Sequence, residues 1–337
     1  MSILYLLTFP EPVLEATDAV WQDVEALQKA FGGVRINLFP FKKPIKFLHV
    51  SLYGLHQIRS IRRQENNQSK INHIFVPTLH YLPVFYFMKN PIVYTVGASL
   101  QKQRKPLNIN RLNSLHRIVI SNERDRQVLK SWGIYNYSII TPGVDTSGFS
   151  PYPLPLEKEM ILFMASAPWD KAQFYSKGID LLLETAAKLP YLKLILIWRG
   201  QLHEELLKKI RHRGVTQKVE VINEKVNVND YLKKAHATVL LAKHPKLVKS
   251  FPHSLIESLA AGKPVIVSKT IPMADYVAKH RCGVVVEELQ IESLAESIRL
   301  LMNQYQSVAD QASRIRAQDF SLEQMIHQYR KLYRLEI

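Results

Sequence analysis

The residues best placed to do chemistry lie in one stretch, Lys249-Ser-Phe-Pro-His-Ser-Leu-Ile-Glu-Ser-Leu-Ala-Ala-Gly-Lys-Pro-Val-Ile-Val-Ser268. It reads as a loop, a short helix, a stop at Gly262 and a buried strand. The opening of such a helix presents backbone amides that suit an anionic oxygen such as phosphate. Glu257 falls in its first turn. The spacing Ser254-x-x-Glu257 equally fits a capping box, with the carboxylate turned back onto the helix's own amide. From the residues alone both readings stand.

Several other chemistries lack their usual residues. Neither G-x-G-x-x-G nor G-x-x-x-x-G-K-[ST] occurs, so the common cradles for dinucleotides and for P-loop phosphates are missing. The single cysteine, Cys282, excludes an internal disulfide and cysteine-based zinc spacing. A reducing, cytoplasmic setting is expected from it. There is no G-x-S-x-G elbow, and no D-x-D pair to clamp a metal on a nucleotide diphosphate. No resident cofactor and no metal are expected.

The 337 residues carry 45 Lys and Arg against 29 Asp and Glu, a net charge of +16. The excess is local. From Ala26 to Asn122 fifteen basic residues face one acid, Glu65. A field of that kind concentrates anionic partners, whether a membrane surface, a phosphorylated substrate or nucleic acid. No helix-turn-helix, RNA-binding or zinc signature accompanies it, so nucleic acid is not expected. The longest apolar stretches, such as Ile74–Met88, are interrupted by Pro77, His80 and Pro83 and fall short of a membrane span. The start, Met1–Leu7, lacks a positive n-region and a cleavage site and reads as a first buried strand.

Apolar runs alternate with helical patterns along the chain. Ser2–Thr8, Val34–Phe39, His73–Pro77, Ile92–Val96, Arg117–Ser121 and Ser138–Thr141 are strand candidates. Leu48–Arg63 reads as an amphipathic helix between them. Residues 141–157 then carry Pro142, Gly143, Gly148, Pro151, Pro153 and Pro155, a linker composition. A second alternation follows, with strands at Met160–Ala165, Leu192–Trp198, Val219–Ile222, Ala237–Leu241 and Val265–Ser268. Strands that are apolar throughout imply parallel sheets covered on both faces. The expectation is two doubly wound α/β domains whose ligand crevice lies beyond the strands' carboxyl ends.

Residues 251–266, Phe251-Pro-His-Ser-Leu-Ile-Glu257 and Ala260-Ala-Gly-Lys-Pro-Val-Ile266, resemble the donor-nucleotide motif of GT-B glycosyltransferases. The match is to family 4, the retaining glycosyl transferases group 1. Thr141-Pro-Gly-Val-Asp145 with Phe149-Ser-Pro151 resembles the segment that ends that family's first domain. Ser176-Lys177-Gly178 resembles its Lys-Gly helix start. The resemblance is strong over about residues 117–335 and weaker before. It implies two Rossmann-like domains with a donor cleft between them. The acceptor-binding domain would span residues 1–150 and the nucleotide-sugar-binding domain 151–317, with 318–337 a helix returning to the first.

The resemblance implies roles as well. Lys177 would neutralise the donor diphosphate, and its place before a helix start suits that task. Glu257 would hold the ribose hydroxyls, and the amides of His253, Ser254 and Leu255 would face the diphosphate or the sugar. Lys171 and Arg199 are candidates for a second cation, and Asn223 joins the donor-binding set. Three positions depart from the family pattern. Lys249 stands where a glutamate contacts the donor sugar, and a lysine cannot accept from sugar hydroxyls but can bind a carboxylate or phosphate. Gly97 stands where a histidine lies beside the sugar, with His80 near in sequence. Glu15-Ala16-Thr17 replaces a glycine pair, which makes Thr17 an acceptor-side candidate.

The implied activity is retaining, metal-independent transfer from a nucleotide sugar to an anionic, lipid-linked or glycan acceptor. The cytoplasm, against the inner face of the membrane, is the expected place, with Tyr53 and Leu55 offering apolar insertion. Lys249 and Gly97 motivate an alternative, an impaired GT-B protein that binds sugar nucleotides or glycans as a partner subunit.

Overall fold

The computed structural model describes residues 2–9, 11, 18–40, 52–67, 69–152, 154–198, 202–315 and 318–334. The chain forms two units, Met1–Gly143 with Leu322–Ile337, and Val144–Ser321. In the first unit six strands make one parallel sheet: β1 Ser2–Leu7, β2 Val34–Asn37, β3 Ser69–Val76, β4 Ile92–Val96, β5 Arg117–Ile120 and β6 Tyr137–Ile139. Their order is β2-β1-β3-β4-β5-β6. In the second unit the strands are β7 Met160–Met164, β8 Leu192–Ile197, β9 Val219–Ile222, β10 Ala237–Leu240, β11 Val265–Ser268 and β12 Gly283–Val286. Their order is β12-β11-β10-β7-β8-β9, again all parallel.

Alternation along the strands explains both covered faces. In β8, Leu192, Leu194 and Leu196 enter one apolar cluster with Leu182, Leu183 and Ile298. Ile195, between them, enters another with Phe163 and Leu232. Side chains of successive strand residues point to opposite faces, so an uninterrupted apolar strand demands helices on both sides. The doubly wound architecture follows from that demand.

The terminal helix Leu322–Arg334 belongs to the first unit, where Met325, Tyr329, Leu332 and Tyr333 pack with Ile3, Tyr5, Leu7, Val24 and Leu27. A polar chain lies in that packing. The fully buried His73 meets the Tyr333 hydroxyl at 2.6 Å through Nδ1 and the Thr95 hydroxyl at 2.7 Å through Nε2, and Thr95 meets the Tyr329 hydroxyl at 3.1 Å. Burial pulls the imidazole pKa down to about 3, so His73 is neutral in the folded protein.

The sequence reading of Leu48–Arg63 as one helix needs correction. Its first residues, through 51, lie outside the described ones. The rest is a 3₁₀ turn at Leu55–Gln57 leading into a helix at Ile58–Asn67, preceded by Gly54 in the left-handed region. Tyr53 sets its ring edge-on against Phe39, and Leu55 packs on the first unit's core. The apolar groups expected to enter a membrane are used inside the protein.

His73 makes stability depend on pH. The unfolded chain binds a proton near pH 6.5 that the folded chain refuses down to about 3, so stability falls as pH drops through that window. One such group contributes a slope approaching about 1.4 kcal/mol per pH unit. His236 and His116 are shifted in the same direction by burial and add to it. Urea unfolding between pH 7 and pH 5 is expected to give a shallower acid loss for His73→Gln than for the unaltered chain. Equal slopes would disprove this account.

Candidate active site

A doubly wound sheet opens a crevice where its connections diverge, at the carboxyl ends of two neighbouring strands. In the second unit that point lies between β7 and β10. The segment after β7 contains a short helix, Ala172–Ser176, then Lys177, then Gly178 in the left-handed region at φ 68°, where the helix Ile179–Lys188 begins. The Ser176 carbonyl accepts a hydrogen bond from the Lys243 amide at 2.8 Å, tying this segment to the one after β10. A Cβ on residue 178 would lie 2.6 Å from the Cβ of Leu241, so the helix start can lie this close to the end of β10 only as glycine.

These contacts fix Lys177. It is 5% exposed, and its ammonium donates to the Ala167 carbonyl at 2.9 Å. An exposed loop lysine it is not. Lys243 comes in from the other segment, with its ammonium 3.2 Å from the centre of the Tyr175 ring. Two lysines therefore belong to segments joined at one hydrogen bond. The sequence reading overlooked Lys243. Its signal was its place just beyond an apolar strand, with no motif to mark it.

The helix after β10 runs His253–Ala260, and Pro252 rather than Ser254 occupies its cap position, with no side-chain cap bond. The capping-box reading of Ser254 and Glu257 therefore fails, because Ser254 is already inside the helix. The Leu255 amide donates to the Pro252 carbonyl at 3.1 Å, which removes it from the amides expected to face phosphate. His253 and Ser254 are buried in the first turn, and Glu257 is half-buried one turn on from His253. The Lys249 ammonium lies 3.2 Å from Nε2 of His253. Four-residue spacing sets His253 and Glu257 on one helix face, so Lys249, His253 and Glu257 come in sequence along one side.

Other expected residues separate from this group. Lys171 is exposed and paired with Glu205 at 3.1 Å, toward the helix His203–His212. Asn223 is exposed just past β9, which lies two strands away from β7 at the sheet edge. Arg199 and Thr17 lie outside the described residues. In the first unit Gly97 follows β4, and its amide donates to the Val76 carbonyl at 2.8 Å at the end of β3. A Cβ there would meet its nearest atoms at 3.6 Å and 4.0 Å, so space for a side chain is left unused. Nε2 of His80 meets the Thr78 hydroxyl at 2.8 Å, and its carbonyl accepts from the Tyr94 hydroxyl. Among the described residues no three His, Cys, Asp or Glu side chains gather as a metal site.

The family model described as glycosyl transferases group 1 matches residues 150–318, half of the chain. The chain belongs to that family. Among solved structures it is similar to sucrose-phosphate synthase from Thermosynechococcus elongatus, at 16% identity and a TM-score of 0.72, with 99% of each chain covered. It is similar to HepE from Anabaena, in complex with UDP and glucose, at 15% identity and 0.75, covering 99% of this chain and 100% of that one. A glycosyltransferase from Rickettsia africae matches at 15% and 0.73, covering 99% and 98%. No curated protein matches the chain. At these identities the likeness is one of fold, and that fold is GT-B. The residues around Lys177, Lys243 and Glu257 all lie within the matched half.

The contact between Gly178 and Leu241 is testable. Gly178→Ala is expected to cost about 1–3 kcal/mol, from left-handed strain and the clash together. Leu241→Gly alone empties core volume and frees the backbone. In the double variant the total loss is expected to fall short of the sum of the singles by at least about 0.5 kcal/mol, because the Cβ that would be struck is gone. Strict additivity in denaturant unfolding would sever the two residues.

Proposed function

We propose that this glycosyltransferase binds a nucleotide-sugar donor at the carboxyl edge of the second unit's sheet. The observation that carries the reading is the tie between Ser176 and Lys243, which joins the segment of Lys177 to the one after β10 that leads into the helix of Glu257. In this reading Lys177 and Lys243 meet the diphosphate, with the amides of His253 and Ser254. Cations and oriented amides stabilise the charge that develops as the diphosphate leaves, so transfer proceeds without a metal. Glu257 accepts from the ribose hydroxyls. HepE, a protein of the same fold, was crystallised with UDP, with UDP and glucose and with UDP-glucose, which supports this class of donor.

Retention of configuration follows in this proposal from the family. Lys249 meets a carboxylate or phosphate on the donor sugar, since an ammonium donates and cannot accept. The acceptor is an anionic or lipid-linked glycan received by the basic first unit. Glu65, the one acid between Ala26 and Asn122, is occupied there, accepting from the amides of Lys89 and Asn90 and from the Asn72 side chain. The sequence from Ala26 to Asn122 offers no second carboxylate to its fifteen basic residues. Among the described residues no helix is long and apolar enough to cross a membrane. The proposal sets the enzyme in the cytoplasm, peripheral on the inner face of the membrane, held by charge.

A panel of UDP-, GDP-, ADP- and CDP-sugars, read by release of nucleoside diphosphate with and without EDTA, tests the donor reading. One donor class is expected to turn over, chelator is expected to change nothing, and the product anomer by NMR is expected to match the donor's. Lys177→Ala is expected to lower kcat by roughly 10²-fold. Glu257→Ala is expected to raise the donor KM about tenfold or more. Lys249→Gln is expected to weaken a donor such as UDP-glucuronate more than UDP-glucose. Donor binding without release across the whole panel would favour the partner-subunit alternative and sink the enzyme reading.

A further inference from the structure

The first unit carries a second concave site that the transfer chemistry does not use. It is a cavity of about 430 Å³ lined by Tyr81, Phe85, Lys89, Asn90, Ser114 and His116, among others. Most of its lining comes from the approaches to β4 and β5, so it opens at the amino ends of those strands. Gly97 and the end of β3 lie at the opposite, carboxyl edge of the same sheet.

The wall of the cavity is aromatic and fixed. Tyr81 and Phe85 meet edge to face at 5.2 Å. The Arg111 guanidinium lies 5.6 Å from the Tyr81 ring centre and 4.4 Å from that of Tyr86, an arrangement that holds the panel and adds positive charge beside it. Lys89 and His116 bring cationic or donor groups to the lining, and no carboxylate is part of it. Glu65 fixes the segment from beneath. Its Oε1 accepts from the amides of Lys89 at 2.8 Å and Asn90 at 3.0 Å, while the Asn90 side chain donates to the Ser69 carbonyl. The segment that carries Lys89 is thereby pinned at both backbone and side chain.

We propose that this cavity binds an anionic sugar residue, a ring bearing a carboxylate or a phosphate, with the ring against Tyr81, which Phe85 backs, and the anion toward Lys89, while Arg111 holds Tyr81 and adds positive charge beside the cavity. The volume is in the range of small-molecule sites, and the lining joins an aromatic ring to several polar side chains, as a ring that bears polar and anionic substituents requires. Carbohydrate rings present C–H faces that pack on aromatic rings, and the acid-free rim selects for negative charge. A lipid surface would need no such hollow, although Tyr86, Phe87 and Leu107 are exposed nearby in sequence. The site is separate from donor binding, and its occupant does not depend on which donor is used.

Titration calorimetry of the full chain with trigalacturonate, in the absence of any nucleotide sugar, tests this. Saturable binding is expected, with maltotriose at least tenfold weaker. Lys89→Gln and Arg111→Gln are each expected to weaken trigalacturonate about tenfold, with circular dichroism unchanged. Tyr81→Leu is expected to weaken it as well, and inorganic phosphate to bind less tightly than the trisaccharide. Phosphate binding as tight as trigalacturonate would overturn the sugar assignment. Loss of sedimentation with anionic phosphatidylglycerol vesicles in the same variants, without trisaccharide binding, would make the surface a lipid contact instead. No binding by any probe would remove the site. Donor turnover measured on the same preparation keeps this inference and the donor reading apart, because either can fail alone.

Discussion

The crevice at the carboxyl ends of β7 and β10 depends on one close approach, that of Gly178 to Leu241. The strand order places β7 beside β10, and both are parallel, so their carboxyl ends open together. The segments leaving the two strands must then share a small space. With a Cβ at residue 178 the helix Ile179–Lys188 would be pushed off the end of β10, and the hydrogen bond between the Ser176 carbonyl and the Lys243 amide would go with it. The chain has only 12 glycines, and this is one of the few at a left-handed φ with a neighbour inside contact distance. Lys177 is buried as a consequence. Its ammonium is held by a carbonyl, and a buried ammonium is costly to desolvate. An anion arriving at such a group offsets that cost, which gives the electrostatics of the crevice a direction before any ligand is bound.

The first unit shows the same logic at lower density. Its basic stretch contains one carboxylate, and the fold uses that carboxylate on backbone amides at the turn before β4. Hydrogen bonds from amides to a carboxylate are of the stronger, charge-assisted kind. Glu65 therefore acts as a structural clip for the segment that carries Lys89. Keeping positive charge on the surface and rigidifying the segment that displays it are here one device.

Much of this was legible in the amino-acid order. Apolar strands at regular intervals carried the two parallel sheets, because a strand buried on both faces leaves no choice of residue. The Pro- and Gly-rich stretch at residues 141–157 contains the change of unit, which falls after Gly143 rather than after the expected residue 150. Lys177 could be singled out because it precedes a helix start, where spacing has physical meaning; Glu257, in the middle of the helix His253–Ala260, is singled out by the resemblance of its segment. Ser254 misled, since Ser-x-x-Glu is a cap only if the serine precedes the helix, and Pro252 took that place. Lys171 misled because a lysine's partner is decided by tertiary distance, here to Glu205. Lys243 and the cavity at the amino ends of β4 and β5 left no local pattern, since both arise from segments brought together only by sheet order. Leu48–Arg63 showed the limit of periodicity, which reports that a face is apolar and says nothing of whether protein or lipid covers it.

Lys249 and His253 place a constraint on the donor end that neither imposes alone. At 3.2 Å, Nε2 of His253 meets the Lys249 ammonium as an acceptor. The ammonium so held lies beside His253, four residues before Glu257, whose carboxylate oxygens accept. A sugar nucleotide lying along that helix face, as proposed, would find an acceptor at its ribose and a donor with net charge at its sugar. On the resemblance noted for this segment, a glutamate at the position of Lys249 would give the field at the sugar the opposite sign. A change of two charges at one point alters selectivity for a charged ligand far more than for a neutral one, because the neutral sugar exchanges hydrogen-bond donors for acceptors at little electrostatic cost. The basic first unit has the same sign. On the proposed reading, an anionic donor sugar and an anionic acceptor would repel one another, and positive charge at Lys249 and along Ala26–Asn122 would offset that repulsion.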